Sequence, residues 1–189
     1  WNVGRVLKKL DDLKIAENTI VLYFSDNGPN GVRWNGDMRG RKGSTDEGGV
    51  RSPLVMRYPA LIKPGTHVKQ ITSVTDLLPT MLSVAGVDRP ERWWGEAVLP
   101  LAGQDVAATL RSATAPGRTA DVIIENEGHR GYRRDGWEAV TRHVPRTSFS
   151  EEPWELFDMA TDPSQVRDLA DERPELLDEL RRAWDEGAW

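Results

Sequence analysis

Apolar residues recur at Val3, Val6, Leu7, Leu10 and Leu13, a spacing that gathers them on one face of an amphipathic helix. Asn18 breaks this period, and Thr19-Ile20-Val21-Leu22-Tyr23-Phe24 follows with almost no polar alternation. A β-branched and aromatic run of that kind predicts a strand buried on both faces, as in a parallel sheet covered by helices. Gly28 and Pro29 end it, and residues 28–49 form a long connection with Gly at 28, 31, 36, 40, 43, 48 and 49. Connections of that length in a compact domain are functional or disordered. Leu54–Tyr58 predicts a second strand, Lys63-Pro64-Gly65 a turn, and Leu77–Ala85 a helix with Asp76 as its N-cap and Gly86 as its stop.

The texture changes further along. Residues 86–118, with Pro90, Pro100 and Pro116, read as a connecting region. Val122–Glu125, Gly131–Arg134, Trp137–Arg142 and Trp154–Phe157 are short runs between turn residues and predict a small antiparallel sheet. Leu176, Leu177, Leu180 and Trp184 supply the stripe of a terminal helix that Pro174 opens. The fold class is therefore α/β over about residues 1–115 and a small α+β subdomain over about 116–189.

Composition narrows the function. The chain has 189 residues, 38% of them hydrophobic, with 25 Lys+Arg against 30 Asp+Glu and a net charge of −5. That balance argues against disorder and against general nucleic-acid binding, which needs a basic surface. No apolar run approaches the roughly 20 residues of a membrane span. The absence of cysteine removes disulfides, thiolate metal sites and cysteine nucleophiles together. Trp1 is not an initiator residue, so a processed product or a piece of a longer protein is expected, and compartment and oligomeric state stay unassigned.

Two segments carry candidate chemistry. Asp26 and Asn27 stand where the first strand ends, the place where open α/β sheets bind ligands. A carboxylate and an amide carbonyl suit Ca²⁺ or Mg²⁺, but Asp-Asn-Gly is also a favoured turn. The second segment, Arg39 to Gly49, sets Arg39, Arg41, Lys42, Ser44 and Thr45 among four glycines. Such a loop suits a tetrahedral oxyanion, with Lys42 as a compact point charge; the alternative is a solvated basic loop. The Walker A spacing is absent.

These segments resemble the sulfatases of the alkaline-phosphatase-like superfamily, in their C-terminal half. The resemblance runs through Asn18-Thr19-Ile20-Val21, Ser25-Asp26-Asn27-Gly28-Pro29 and Arg39-Gly40-x-Lys42-Gly43-x-x-x-Glu47-Gly48-Gly49-Val50-Arg51-x-Pro53. It continues in Asp76-Leu77-x-Pro79-Thr80-Met81-Leu82 and Trp154-Glu155-Leu156-Phe157-Asp158-x-x-x-Asp162-Pro163. It implies the C-terminal part of an alkaline-phosphatase-like α/β sandwich, followed by the small antiparallel sheet and terminal helix.

By that resemblance Asp26 and Asn27 are ligands of a divalent metal, usually Ca²⁺ with Mg²⁺ as the alternative, and Lys42 contacts the sulfate group of a sulfate-ester substrate. The family's nucleophile is a formylglycine made from Cys or Ser. No residue here matches that motif or the family's other metal ligands, so the chain alone is expected to be inactive. A periplasmic or extracellular location is what the family suggests. Two rival readings stay open: a phosphodiesterase or phosphonate-ester hydrolase of the same superfamily, and a non-catalytic module binding sulfated glycans through the basic loop and tryptophans.

The remaining polar residues are read as structural. His67, His129 and His143 have no partner at helical spacing. Glu47 is expected to fix the turn before the second strand, Arg39 and Arg51 to hold the loop through carboxylates, and Asp158, Asp162 and Asp168 to serve turns. Trp93-Trp94 are expected to cover a domain junction or, as the alternative, to line a substrate mouth.

Overall fold

The structure is a computed structural model that describes residues 1–31 and 34–187. They pack as two compact units, one of Trp1–Tyr23 with Val55–Ala120, the other of Phe24–Leu54 with the chain from Asp121 onward.

In the first unit, helix α1 spans Asn2–Asp12, with an ion pair of 2.7 Å between Lys8 and Asp12 one turn apart. Its apolar stripe is as expected, yet none of its residues is buried. Strand β1 (Val21–Phe24) pairs with β2 (Leu54–Arg57) in a two-stranded sheet. The sequence predicts β1 buried on both faces; instead Tyr23 is 56% and Phe24 45% exposed. Burial on both faces needs layers above and below the sheet, and the described residues do not supply them.

Helix α3 (Leu77–Ala85) ends at Gly86, whose φ of +64° is the left-handed conformation expected of a stop residue. Asp76 stands at the expected N-cap position, but its side chain makes no capping bond to the helix. Its buried carboxylate accepts from the backbone N–H of Ser73 (2.8 Å) and of Gln104 (2.7 Å) and pairs with Arg118. It thereby fastens the turn Val74–Asp76 to the segment near residue 104 instead of capping the helix. The connecting region holds more structure than expected, a hairpin of β3 (Arg92–Trp93) and β4 (Glu96–Ala97) and the short helix α4 (Ala107–Arg111). Two-residue strands are too short to leave a periodicity. Trp93 and Trp94 stand out at this hairpin, 62% and 93% exposed.

In the second unit β5 (Val122–Asn126), β6 (His129–Arg134), β7 (Trp137–Thr141) and β8 (Trp154–Asp158) form one antiparallel meander in chain order. Its register sets Arg133 beside Glu138 and Glu138 beside Phe157. Because side chains alternate, residues 131, 133, 138, 140, 155 and 157 share one face. The opposite face carries Tyr132, Ala139, Trp154 and Leu156, which form the core with Leu180 and Trp184 of helix α5 (Pro174–Gly187). The Trp184 indole N–H also donates to the Ile124 carbonyl at 3.3 Å. Helix and apolar face account for one side of the sheet. What covers the other is the glycine-rich loop.

Candidate functional site

The loop is built from close backbone approaches. The N–H of Gly28 donates to the Gly49 carbonyl (2.8 Å), that of Lys42 to the Pro29 carbonyl (3.0 Å), and that of Gly48 to the Arg39 carbonyl (2.7 Å). A Cβ on Gly28 would lie 1.9 Å from the Gly48 carbonyl oxygen, and one on Gly49 would lie 2.3 Å from that of Ser44. Glycine is demanded at these positions by space. The Ser52 hydroxyl donates to the Ser25 carbonyl at 2.7 Å. The segment after β1, which carries Asp26 and Asn27, is thus stapled to the segment that carries Lys42.

Partly buried ion pairs then fix the loop to the sheet. Arg39 donates through Nε (2.9 Å) and Nη2 (2.8 Å) to Asp46 and through Nη1 (2.8 Å) and Nη2 (2.7 Å) to Glu155, while its guanidinium stacks on Phe157 at 4.6 Å. Asp46, 1% exposed, accepts a further bond from Arg142 at 3.1 Å. Glu47 opens helix α2 (Glu47–Val50), accepts from Arg51 at 2.8 Å and is ion-paired with Arg133. Its backbone N–H donates to the Gln165 side chain at 2.7 Å. Arg39, Arg51 and Glu47 therefore act as structural groups, as their sequence setting suggests.

The three predicted site residues face outward by contrast. Asp26 and Lys42 are exposed and Asn27 is half-buried. Among the described residues the Asp26 carboxylate has one neighbour, the Ser25 hydroxyl at 3.5 Å, and the side chains of Asn27 and Lys42 have no hydrogen-bond or ion-pair partner. Two hard oxygen donors left uncommitted by the protein are what a Ca²⁺ or Mg²⁺ ligand pair requires. No group of three or more His, Asp or Glu gathers to hold a metal among the described residues. A shallow open depression lies on the loop, lined by Gly40, Arg41, Ser44, Asp46 and Arg142.

The histidines and aspartates of the second unit serve the framework. The His143 N–H donates to Nδ1 of His129 at 3.0 Å, and the His143 ring bonds the Glu152 carboxylate. Asp162 accepts from the N–H groups of Val166 and Arg167 (both 2.8 Å), and Asp168 from those of Leu156 and Ala170 (both 2.9 Å). Sequence reasoning misses Arg133, Glu138, Arg142 and Gln165. On β6 and β7 the charged positions Arg133 and Glu138 look like a solvent-facing alternation, and nothing local announces that the loop will bury them.

Comparison with known proteins agrees with this architecture. The family model described as Sulfatase matches residues 1–87. An uncharacterized sulfatase of Schizosaccharomyces pombe is 28% identical over 97% of the chain and 40% of its own length. Steryl-sulfatase of Mus musculus is 40% identical over 59% of the chain and 18% of its own length. The crystal structure of Ps i-CgsB in complex with k-i-k-neocarrahexaose superposes with a TM-score of 0.80 at 25% identity, covering 99% of this chain and 40% of that one. The chain thus spans 40% or less of the length of these two curated relatives.

Proposed function

We propose, from the Sulfatase family model that matches residues 1–87 and the sulfatases that the chain resembles, that the chain is part of a sulfatase and that the whole protein hydrolyses a sulfate ester with help from Asp26, Asn27 and Lys42. The observation that carries this reading is the double staple, Gly28 to Gly49 and Lys42 to Pro29, which ties the two exposed segments into one loop system. Asp26 and Asn27 would hold a Ca²⁺ ion, with Mg²⁺ as the alternative, and such an ion neutralises charge on the transferred group when bound. Lys42 presents its ammonium to the non-bridging or leaving oxygens of the sulfate. With no partner of its own among the described residues, it needs no broken ion pair to reach that position, the economy that electrostatic preorganisation relies on. The chain has no cysteine and none of its serines lies in the sulfatase modification motif, so no residue of this chain serves as the formylglycine.

The test is Lys42→Ala in the full-length protein. Loss of one such contact raises the barrier by about 2.7–4 kcal/mol, so turnover of an aryl sulfate should fall about 10²–10³-fold while the unfolding midpoint hardly moves. Unchanged turnover would remove Lys42 from the mechanism, and a preference for a matched aryl phosphodiester would move the protein to the phosphodiesterase reading. A chelator should abolish turnover and Ca²⁺ restore it, with Asp26→Ala needing more Ca²⁺ for half-activation. Salt-sensitive binding of sulfated sugar by the chain, with no turnover from the full-length protein, would favour the glycan-binding module.

A further inference from the structure

The polar face of the four-stranded sheet buries three polar groups that the proposed chemistry does not use. Glu138 is fully buried, and its carboxylate is paired with Arg133 and accepts from the Gln165 amide at 3.3 Å. Arg133 is in turn paired with Glu47, and Gln165 accepts the Glu47 backbone N–H at 2.7 Å. A closed ring of contacts results, in which Arg133 and Gln165 grip both ends of one loop residue. Oε1 of Glu138 and Nε of Arg133 are buried without a hydrogen-bond partner among the described residues. Burying an unsatisfied charged oxygen is costly, and an arrangement kept for stability alone would be served better by apolar residues of similar volume.

We propose that Arg133, Glu138 and Gln165 are positioning residues for the Lys42 loop, acting through Glu47 and tightening or loosening it with the charge on Glu138. The benefit to Lys42 rests on the function proposed above; the grip on the loop does not.

The direction of the switch follows from the surroundings of Glu138. Burial pushes its carboxyl up to about 7; Arg133 pulls it down, and the carboxylates of Glu47 and Asp46 raise it again. Arg39 stacks on the adjacent Phe157, and Gln165 contributes no charge. Below neutrality Glu138 is protonated, and Arg133 serves Glu47 alone. Above it, the buried charge repels Glu47 and Asp46 and competes for Arg133, so the grip slackens. The loop is held most firmly on the acid side.

Amide hydrogen exchange on the chain tests this without reference to turnover, so failure here leaves the sulfate-ester reading standing and the reverse is also true. The reporters are the N–H groups of Lys42, Gly48, Gly49 and Arg51, all bonded within the loop system at 2.7–3.0 Å. After correction for intrinsic exchange, their protection should fall about tenfold from pH 6 to pH 8 with a midpoint near 7, while the β6–β7 amides stay protected. Glu138→Gln should abolish the step and keep the acid-side protection at both pH values. Arg133→Lys should retain part of the loop protection, and Arg133→Met should lose it with the β6–β7 amides still protected. A step that persists in Glu138→Gln, its absence in the parent chain, or parallel loss in loop and sheet would each overturn the proposal.

Discussion

Gly28 shows how little room the loop leaves at the level of single residues. The oxygen that its Cβ would strike belongs to the Gly48 backbone, which cannot rotate away as a side-chain tip can. Gly28→Ala should therefore destabilise the second unit by about 1–3 kcal/mol, the range for overpacking, read as a lowered denaturant midpoint with an unchanged slope. Glu138 gives a second residue-level expectation. Its folded value near 7 lies above the ordinary 4.5, so between these values the folded state holds a proton that the unfolded state has lost. Stability then falls as pH rises through that window and levels off above about 7. Denaturation of Glu138→Gln at a series of pH values should lack this decline.

At the scale of elements, what the sequence reveals is what leaves a local period. The four strands of the meander, the stripe of α5 and the Gly86 stop are legible because turn residues bracket them and Leu180 and Trp184 repeat at helical spacing. Leu180 is 1% exposed in the core, whereas Val166 is 83% exposed. Leu180→Ala should cost about 2–5 kcal/mol and Val166→Ala almost nothing, a contrast that urea unfolding of the two variants would display. The hairpin at 92–97 is not legible, since its strands are two residues long. The Asp76 side chain is illegible for a related reason: the residue takes the N-cap position, but its partners Gln104 and Arg118 lie 28 and 42 residues away, and no window of sequence contains them. For the candidate site, the glycine-rich loop with Asp26, Asn27 and Lys42 is visible as a motif, while the buried charges beneath it are not. Arg39 to Glu155 spans 116 residues and Glu47 to Gln165 spans 118. Alternation on β7 marks Glu138 as polar but cannot say that a loop will cover it.

At the scale of the whole molecule, the first unit leaves unusual surface uncovered. Val6 (56%), Leu13 (53%), Tyr23 (56%) and Val55 (59%) are all exposed, α1 buries no residue at all, and β1 pairs with β2 alone in its sheet. Scattered apolar residues on a surface are ordinary, but an amphipathic helix with Val3, Val6 and Leu13 exposed and Leu7 and Leu10 only half-buried, and a strand pair with open edges, are liabilities for association. The chain spans 40% of the length of its Schizosaccharomyces pombe relative, and these are the elements of this chain that lack a covering layer within it. Two measurements follow for the chain by itself. It should bind a hydrophobic dye in its native state, and sedimentation equilibrium should give a mass above the 21.2 kDa of the monomer, rising with concentration. Val6→Lys with Leu13→Lys should shift that equilibrium toward monomer and weaken dye binding while leaving the circular dichroism unchanged, because neither side chain supports a core. A monodisperse monomer that ignores the dye would mean that the first unit covers these side chains in a different packing.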